Sequence, residues 1–321
     1  MATMLDRVAA ADSPFLADVL TGLAQQQKAI PARWFYDHRG SELFEEITRL
    51  PEYYPTRTEI GLLGDCAGEV AALAGPRVVV EFGSGSSRKT PIVLNAMDAI
   101  AYVPIDISGD YLRQSAAALG AMMPGLEILP CEGDFMHPLA LPQRARGRPA
   151  LGFFPGSTIG NLAAPDAVAL LQQIGETLGH DALLLIGIDR VKPVNRLIAA
   201  YDDAAGVTAA FNLNLLNRIN RELDGDIDAY GFRHRAHWNA LHNRIEMHLE
   251  AMRPMRFPVA GHCFSMAAGE TIHTENSHKY GPEEARLLLR AGGWTAIEGW
   301  TDDEALFGLY LARRTRTSIQ G

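Results

Sequence analysis

One short stretch limits most strongly which folds are open to this chain of 321 residues. Val78–Phe82 is followed by Gly83 and Gly85, and a helical pattern begins near Thr90. Three consecutive valines predict a short buried strand, and the alternating glycines predict a tight turn in which backbone N–H groups can approach a ligand closely. A helix N-terminus after such a loop adds a positive dipole end. Because a doubly wound sheet binds nucleotides with this unit, the stretch predicts an adenosine-type cofactor.

Hydrophobic runs of strand length follow the glycine loop at regular intervals. We expect strands over 102–105, 126–129, 151–154 and 182–189, with helices over 109–121 and 165–178 between them. Strands and helices that alternate over about 110 residues predict a parallel sheet and therefore an α/β fold. A helix over 282–291 and strands over 294–300 and 307–313 indicate that the chain returns to this sheet at its end.

The alternation breaks between residues 191 and 280. This segment begins with a helical pattern, alternates like a strand over 244–249 and is extended over 253–264. The first 57 residues contain a helix that begins at Ser13-Pro14, a short helix opened by Ser41 and two aromatic loops. We interpret 191–280 as an insertion that forms a second lobe with the N-terminal segment.

Charge and composition narrow the classes of partner. The net charge of −9, without any Lys/Arg run, argues against binding to a nucleic-acid backbone. We find no basic flank followed by an apolar run and no apolar run of membrane-spanning length, so we expect a cytoplasmic protein that binds no membrane. The cysteines Cys66, Cys131 and Cys263 are isolated, which argues against a disulfide framework and a thiolate metal site.

Four histidines lie close together in the sequence, at positions 234, 237, 242 and 248. A metal site built on them needs a cysteine or an organised carboxylate to complete its ligand set. The sequence pattern offers neither, so we expect these histidines to be solvated or hydrogen-bonded and predict no metal.

Three acidic residues at successive strand ends distinguish between the possible cofactors. A dinucleotide fingerprint requires a third glycine, but Arg88 occupies that position, and Glu81 is badly placed beside an anionic pyrophosphate. Asp106 is placed to bind ribose hydroxyls, and Asp134 with Phe135 can bind and stack an adenine. Glu81, Asp106 and Asp134 together therefore favour the cationic S-adenosylmethionine (SAM) over a nicotinamide dinucleotide.

Over almost its whole length, the sequence resembles a known family, the SAM-dependent histidine N-alpha-methyltransferases of ergothioneine biosynthesis. The similarity is carried by short motifs in a specific order: Arg33–Asp37, Leu50–Arg57, Glu81–Ser86, Gly133–Phe135, Gly156–Leu162, Tyr201–Asp203 and Thr274–Tyr280.

The resemblance implies a class I SAM-dependent methyltransferase with a Rossmann-like sheet over 58–190 and 281–321, and a substrate-binding lobe made of 1–57 and 191–280. It also implies a role for particular residues. SAM would be held by Gly83, Lys89, Asp106, Asp134 and Phe135. The substrate carboxylate would be bound by Asn161 and Tyr201, and the α-amine would lie near Tyr36, Gly156 and Thr158. The imidazole would be bound by Tyr53, Glu275 and Ser277, with Met247 lining the pocket.

The implied reaction is successive methylation of the α-amine of free L-histidine to the trimethylated betaine by a monomeric enzyme. Methyl transfer from a sulfonium to a neutral amine mainly requires that the reactants be positioned, so no strong general base is expected. We expect Tyr36 to be a hydrogen-bond partner for the amine, and Phe35 and Tyr36 to stabilise the quaternary cation. Glu275 and Ser277, two residues apart on an extended segment, are expected to point to the same side and bind both imidazole nitrogens.

The sequence departs from the family pattern at Ala32, at Met136 and within Asn276–Tyr280, and the last departure bears on side-chain specificity. Three alternatives stay open. The same fold could methylate another α-amino acid such as a tryptophan derivative, although Glu275 and Ser277 favour histidine. A nicotinamide-dependent oxidoreductase is disfavoured by Arg88. A SAM-binding protein without catalytic activity is disfavoured by the full set of pocket residues.

Overall fold

The computed structural model describes residues 13–85 and 88–315, so Ser86 and Ser87 of the glycine loop lie outside the described residues. The chain divides into two compact units. The first unit consists of Met1–Tyr53 and Pro193–Ser277, and the second of Tyr54–Lys192 and His278–Gly321. The sequence pattern places these borders after residues 57, 190 and 280.

The regular elements are numbered here in chain order. Up to Lys192 they are α1 (Pro14–Ala24), β1 (Lys28–Ala29), α2 (His38–Ile47), α3 (Tyr54–Ala74), β2 (Arg77–Phe82), α4 (Thr90–Ala96), β3 (Ala99–Asp106), α5 (Gly109–Met122), β4 (Cys131–Glu132), β5 (Ala150–Phe154), α6 (Ala164–Leu178) and β6 (Leu183–Asp189). Beyond it they are α7 (Val194–Tyr201), α8 (Val207–Glu222), β7 (Phe232–Asn239), β8 (Arg244–Ala251), β9 (Met255–Val259), β10 (His262–Met266), β11 (Thr271–His278), α9 (Pro282–Ala291), β12 (Trp294–Thr301) and β13 (Phe307–Arg314). None of the helices in the described residues combines the length and the apolar character that a membrane span needs.

The second unit contains a seven-stranded sheet in the order β12-β13-β6-β5-β2-β3-β4. Strands β2 to β6 are parallel to their neighbours, whereas β13 runs antiparallel to β6 and β12 antiparallel to β13. The prediction of an α/β fold with a parallel sheet is confirmed, as is the return of the last two strands to that sheet.

Both faces of this sheet are covered. Val78 and Val80 of β2 belong to a buried cluster with residues of α6 and α9, whereas Val79 between them belongs to a cluster with residues of α3 and α4. A strand buried on both faces needs apolar side chains at every position, which explains the run of three valines.

The strand order reverses at β2. From β2 the chain continues to β3 and β4 on one side, and it then crosses to β5 and β6 on the other side. The loops after β2 and β5 therefore leave the sheet in opposite directions, and a crevice opens at the carboxyl ends of these two strands. This crevice is where an open α/β sheet binds its ligand, and the loops that border it begin at Gly83 and Pro155.

The strand predicted over 126–129 is wrong as a continuous element. A single bridge joins Ile128 to Tyr102, and the regular pairing with β3 is limited to Cys131 and Glu132 of β4. Pro130 stands between these two pieces and has no N–H group to donate to a ladder. The segment is at the edge of the sheet, where such an interruption is tolerated.

The first unit has a four-stranded sheet in the order β1-β11-β8-β7, and β9 and β10 form a separate hairpin. The strand predicted over 244–249 is confirmed as β8, and the extended segment 253–264 is confirmed as that hairpin. The helical pattern predicted after residue 193 ends before β8, because strand β7 lies between the helices and β8. The polar residues of β7, among them His234 and Arg235, hid its two-residue alternation. The outward face of β7 carries charge, and its inward face is only partly apolar.

Helix α2 begins at His38, three residues before the predicted start at Ser41. Its N-cap is Asp37, whose Oδ1 accepts the Gly40 N–H at 2.7 Å. The same carboxylate accepts hydrogen bonds from Asn214 Nδ2 at 2.8 Å and Arg221 Nη2 at 2.5 Å on α8. Burial opposes the ionisation of Asp37, but the Gly40 N–H and these two donors outweigh it and lower its pKa. One carboxylate thus caps α2 and joins it to α8.

Replacing Asp37 tests this role. We expect Asp37→Ala to lower the free energy of unfolding by about 2 kcal/mol, because the cap and the acceptor for Asn214 are both lost. Asp37→Asn is the matched control and should lose less than about 1 kcal/mol, since asparagine caps helices well and the pair with the half-exposed Arg221 is worth little. Urea unfolding of the three proteins measures the difference. Equal losses for the two variants would contradict the capping role.

Candidate active site

The glycine loop after β2 lies against the phenyl ring of Phe135. Gly83 has a φ of 74° and Gly85 a φ of 48°, a region that favours glycine. A Cβ atom at Gly83 would stand 3.5 Å from the Phe135 ring. That ring in turn makes edge contacts with Phe82 and Phe154, which end β2 and β5. The aromatic residue and the loop are thus brought together at the carboxyl edge of the sheet.

Asp106, at the end of β3, is joined to the same loop. Its Oδ2 accepts the Gly85 N–H at 3.0 Å, and its Oδ1 accepts the Ser108 N–H at 2.9 Å. Asp134 accepts the Met136 N–H at 2.9 Å through Oδ1. Each of these carboxylate oxygens can still accept a further hydrogen bond, because an ionised carboxylate offers about four lone-pair sites. The second unit therefore brings Gly83, Asp106, Asp134 and Phe135 to one edge of the sheet.

Glu81 does not belong to this set. Its side chain is only 1% exposed, and its Oε2 accepts hydrogen bonds from Tyr102 Oη at 2.5 Å and Thr90 Oγ1 at 2.7 Å. The interpretation of Glu81 as a partner of a cationic ligand is corrected, because both donors come from the protein itself. Burial raises the pKa of Glu81 to about 7, although the two hydrogen bonds favour the charged form.

Lys89 is held by a carboxylate that the sequence pattern did not single out. Glu59, on α3, is fully buried, and its Oε2 lies 2.5 Å from Lys89 Nζ. Both oxygens of Glu59 also accept the Gly156 N–H, at 2.9 and 3.0 Å. A side chain at Gly187 of β6 would collide with Glu59 Oε1, so the glycine there leaves room for the carboxylate. Glu59 therefore joins the loop after β2 to the loop after β5.

The loop after β5 forms a 3₁₀ turn over Thr158–Asn161. Thr158 Oγ1 donates to Pro155 O at 3.2 Å and lies 3.6 Å from where a Cβ atom would stand on Gly156. Ser157 has a φ of 58°, and its Oγ accepts the Asp189 N–H at 2.9 Å. Gly156, Thr158 and Asn161 are thus carried by one turn that β6 supports.

Two residues of the segment that departs from the family pattern are structural in the second unit. His278 Nδ1 lies 2.8 Å from Gly160 O, and Lys279 Nζ lies 2.7 Å from Asp189 Oδ2. The lysine is fully buried and pairs with an equally buried carboxylate. The pKa of Asp189 is lowered because Lys279 and Lys192 more than offset the effect of burial. These side chains stabilise the turn and β6, so the departure at 278–279 has a structural reason.

In the first unit, aromatic rings connect the predicted substrate residues. Tyr36 contacts Phe44 edge-on, with centroids 5.6 Å apart, and Phe44 contacts Tyr53 at 6.3 Å. Tyr53 contacts Tyr201 at 6.3 Å. Phe35 is fully buried against Phe211, so its predicted contact with a quaternary cation is wrong, whereas Tyr36 keeps part of its surface.

Tyr201 ends this aromatic series with a hydroxyl contact. Its Oη lies 2.6 Å from Ser277 Oγ, and both side chains are buried. Met247 is also buried in this unit, and its carbonyl oxygen accepts Thr274 Oγ1 at 3.0 Å. The buried positions of β11 are Ile272, Thr274 and Ser277, so the two-residue alternation is interrupted before Ser277. The burial pattern does not by itself place Glu275 and Ser277 on one side, so their shared side and their joint contact with an imidazole stay predictions.

Three residues of these sites were missed from the sequence. Glu59 lies within a helix, where a single acidic residue among polar neighbours gives no signal. Phe44 and Phe211 follow the helical spacing of core residues, so the pattern does not distinguish a residue that supports a binding site from one that fills the interior.

Comparison with known proteins assigns the family. The sequence matches the family described as "Histidine-specific methyltransferase, SAM-dependent" over residues 15–314. The chain belongs to this family.

This methyltransferase is 45% identical to the histidine N-alpha-methyltransferase of Mycolicibacterium smegmatis, with 98% of this chain and 100% of that protein covered. It is 42% identical to the histidine N-alpha-methyltransferase of Mycobacterium tuberculosis, with 92% and 94% covered. It is also 29% identical to ergothioneine biosynthesis protein 1 of Neurospora crassa, of which 34% is covered, with 91% of this chain. The first two matches extend over both units.

The methyltransferase uses SAM, and its seven-stranded sheet is the Rossmann-like sheet of a class I SAM-dependent methyltransferase. The residues at the carboxyl edge fit that cofactor. The Phe135 ring is only partly buried, which leaves ring surface on which an adenine can stack. Two carboxylates beside the ring, Asp106 and Asp134, are acceptors for hydroxyl and amino groups.

The buried carboxyl of Glu81 predicts a pH dependence of stability. Because its pKa is about 7 in the folded methyltransferase, above the ordinary 4.5, the folded state binds more protons than the unfolded state between these values. The contribution of Glu81 to the free energy of unfolding therefore decreases as pH rises through this window. We expect Glu81→Gln, which cannot ionise, to remove on the order of 3 kcal/mol of that decrease. Urea unfolding at about pH 5 and about pH 8 measures it, and parallel pH profiles of wild type and variant would contradict the assignment.

The ion pair of Glu59 and Lys89 predicts a coupling energy. We expect Glu59→Ala to destabilise the methyltransferase by about 3–5 kcal/mol, because Lys89 and the Gly156 N–H lose a buried partner. Lys89→Met in the Glu59→Ala background should recover part of that loss, since the uncompensated cation is removed. A double-mutant cycle by urea unfolding measures the coupling. Additive losses would show that the two side chains do not interact.

Proposed function

We propose that this methyltransferase transfers methyl groups from SAM successively to the α-amine of free L-histidine and forms the trimethylated betaine, the first step of ergothioneine biosynthesis. The observation that carries the proposal is 45% identity, over 98% of this chain, to a histidine N-alpha-methyltransferase. The acceptor is a small molecule, and we include a monomeric, cytoplasmic enzyme in the proposal. The free cysteines Cys66, Cys131 and Cys263 are compatible with a reducing compartment.

On the donor side, we assign SAM to Gly83, Lys89, Asp106, Asp134 and Phe135. Asp106 accepts hydrogen bonds from the ribose hydroxyls, and Asp134 accepts one from the adenine amino group. Phe135 stacks on the adenine ring. Lys89 contributes a positive charge that suits the carboxylate of the cofactor, and Glu59 fixes its position through their 2.5 Å contact.

On the acceptor side, we assign the substrate carboxylate to Asn161 and Tyr201, and the imidazole to Tyr53, Glu275 and Ser277, with Met247 lining the pocket. The contact of Tyr201 with Ser277 supports this assignment. Either hydroxyl can be the donor in that contact. When histidine is bound, Tyr201 donates to its carboxylate and Ser277 to the imidazole nitrogen without a hydrogen, in place of their mutual hydrogen bond. Glu275 accepts the N–H of the other nitrogen. A phenyl or isobutyl side chain offers neither group, so this pair selects histidine.

The reaction is an in-line displacement. When bound, SAM supplies a methyl group on a sulfonium, from which sulfur leaves with the bonding electron pair as a neutral thioether. The nitrogen lone pair of the acceptor forms the new N–C bond. The nitrogen then releases a proton to water after the first and the second transfer, whereas the third transfer forms the quaternary ammonium, which has no N–H. The lone pair is available only on the neutral amine, and the α-amino group of a peptide, with a pKa near 8, is about a tenth neutral at pH 7, which costs about 1.4 kcal/mol. The amine of a free amino acid is more basic than that reference, so its cost is larger, and we assign no general base.

We assign the α-amine to Tyr36, Gly156 and Thr158. We assign Tyr36 as its hydrogen-bond partner, and Tyr36 also presents an aromatic face to the quaternary ammonium of the product. Gly156 and Thr158, which we also assign to the amine, lie in the loop after β5. The Gly156 N–H of that loop donates to Glu59. These residues orient the nitrogen and exclude water, and such positioning can lower a barrier by about 7–11 kcal/mol.

One experiment separates this proposal from its alternatives. The purified enzyme is incubated with SAM and, in turn, each of a panel of free amino acids and tryptophan derivatives, and products are followed by mass spectrometry. We expect histidine to gain one, two and then three methyl groups. Preferential methylation of another amino acid would overturn the substrate assignment. Binding of SAM without any methylation would favour a protein that is not catalytic, and dependence on a nicotinamide cofactor would favour an oxidoreductase.

The role of Glu275 is tested by its substitution. We expect Glu275→Ala to weaken histidine binding at least about tenfold, a loss of about 1.4 kcal/mol, because a charge-assisted hydrogen bond to the imidazole is lost. SAM affinity should change less than about twofold. Isothermal titration calorimetry measures both constants. Glu270→Ala is the control, since Glu270 pairs with Lys28 instead. A comparable loss of affinity for both ligands would refute the specificity role.

A further inference from the structure

The outward face of the four-stranded sheet in the first unit carries an unexplained cluster of histidines and a glutamate. His237 of β7 is directly opposite Glu246 of β8, and His248 follows Glu246 by two residues on the same strand and face. Among the residues that the structure describes, His237, Glu246 and His248 form a group whose ligand atoms lie within 4.8 Å of one another. None of the three belongs to the residues assigned to SAM or histidine.

The donor atoms of this cluster converge on one oxygen. Glu246 Oε2 lies 3.2 Å from His237 Nε2 and 3.2 Å from His248 Nε2. Metal–nitrogen and metal–oxygen bonds at a zinc site are about 2.1 Å long, so two donor atoms 3.2 Å apart subtend about 100° at the metal. That angle falls between the values for octahedral and tetrahedral coordination.

Neighbouring side chains orient two of the three ligands, Glu246 and His248. The other oxygen of Glu246 accepts Asn239 Nδ2 at 2.8 Å and Arg244 Nε at 2.7 Å, which turns Oε2 toward the histidines. His248 Nδ1 lies 3.2 Å from Thr271 Oγ1, and the His248 ring stacks on His273 with centroids 4.7 Å apart. Hydrogen bonds to the far side of each ligand are the usual support of a metal site.

Glu246 and His248 are buried, and His237 is on the exposed side of the cluster. The side chain of His237 is 48% exposed, so it can rotate toward an incoming ion without moving the backbone.

We propose that His237, Glu246 and His248 bind one divalent transition-metal ion, with Zn²⁺ as the representative, on the β7–β8 hairpin. Two imidazoles and one carboxylate favour this class of ion over Mg²⁺ and Ca²⁺, which prefer oxygen ligands. Water completes the coordination at the exposed side. The ion joins β7 to β8, so it binds the folded hairpin and stabilises it. The positive charge of Arg244 keeps the affinity moderate.

The cluster corrects the expectation that no organised carboxylate accompanies these histidines. Glu246 completes the set because β7 and β8 pair in register, which the sequence spacing alone does not reveal. Of the other two histidines, His234 lies on the opposite face, with Nε2 2.8 Å from Tyr201 O, and His242 is exposed in the hairpin turn.

The proposal is tested by titrating the purified full-length chain, first stripped with a chelator, with ZnCl₂ in a calorimeter. We expect one Zn²⁺ per chain, a higher Tm with Zn²⁺ than with Mg²⁺, and visible absorption bands on replacement by Co²⁺. His237→Ala should weaken Zn²⁺ binding at least about tenfold, because removal of an outer partner alone costs that much. Because His237 is exposed, its replacement is expected to leave the fold intact, and circular dichroism of His237→Ala verifies this.

His242→Ala is the matched control, because it removes an exposed histidine from the same hairpin and should leave Zn²⁺ binding unchanged. His248→Ala provides a second ligand variant and should abolish the Co²⁺ bands. Absence of Zn²⁺ binding by the wild-type chain would overturn the proposal. Binding that persists undiminished in His237→Ala, or that is lost in His242→Ala, would also overturn it.

Discussion

The residues that we assign to SAM depend on the contacts of one carboxylate, that of Glu59. It is fully buried, and it binds Lys89 from the loop after β2 and the Gly156 N–H from the loop after β5. These loops begin at the two strands between which the strand order reverses, so they leave the sheet in opposite directions. A crevice between diverging loops needs a tie across it to keep a fixed width. Glu59 provides this tie, and Gly187 leaves the space for it.

Two buried glutamates show how surroundings decide the use of one residue type. Glu59 faces a cation, whereas Glu81 faces the hydroxyls of Tyr102 and Thr90. Without a cation in direct contact, burial raises the pKa of Glu81 to about 7. Their positions along the sequence suggest the opposite assignment, since Glu81 ends the strand that carries the glycine loop and Glu59 lies in a helix. Only the partners in the folded chain separate a support for the site from a support for the sheet.

The substrate residues in the first unit depend on different forces. Tyr36, Tyr53 and Tyr201 are connected through Phe44 by edge contacts between rings, and the series ends at the hydroxyl of Ser277. Rings of this size lose little conformational freedom when they are held, so they provide rigid walls for a small ligand. The opposite face of the same sheet is polar, and it carries the histidines and Glu246. One four-stranded sheet thus supports two chemically distinct surfaces.

The sequence by itself determined the sheet of the second unit and its cofactor class. Local signals suffice there, because a strand buried on both faces must be apolar throughout and a loop that approaches a ligand needs glycine. Gly83, Asp106 and Phe135 follow from the same rule, since the carboxyl ends of parallel strands meet at one edge. The motif order also predicted the family, which the comparison then established.

Only the tertiary structure decided contacts between residues far apart in the chain. Glu59 meets Gly156 across 97 positions, and Tyr201 meets Ser277 across 76. The pairing of His237 with Glu246 depends on the register of a hairpin whose first strand is too polar to be recognised. The capping of α2 by Asp37 and the irregular burial pattern of β11 before Ser277 were also hidden. Each depends on partners that the fold supplies, and local residue preferences carry no information about such partners.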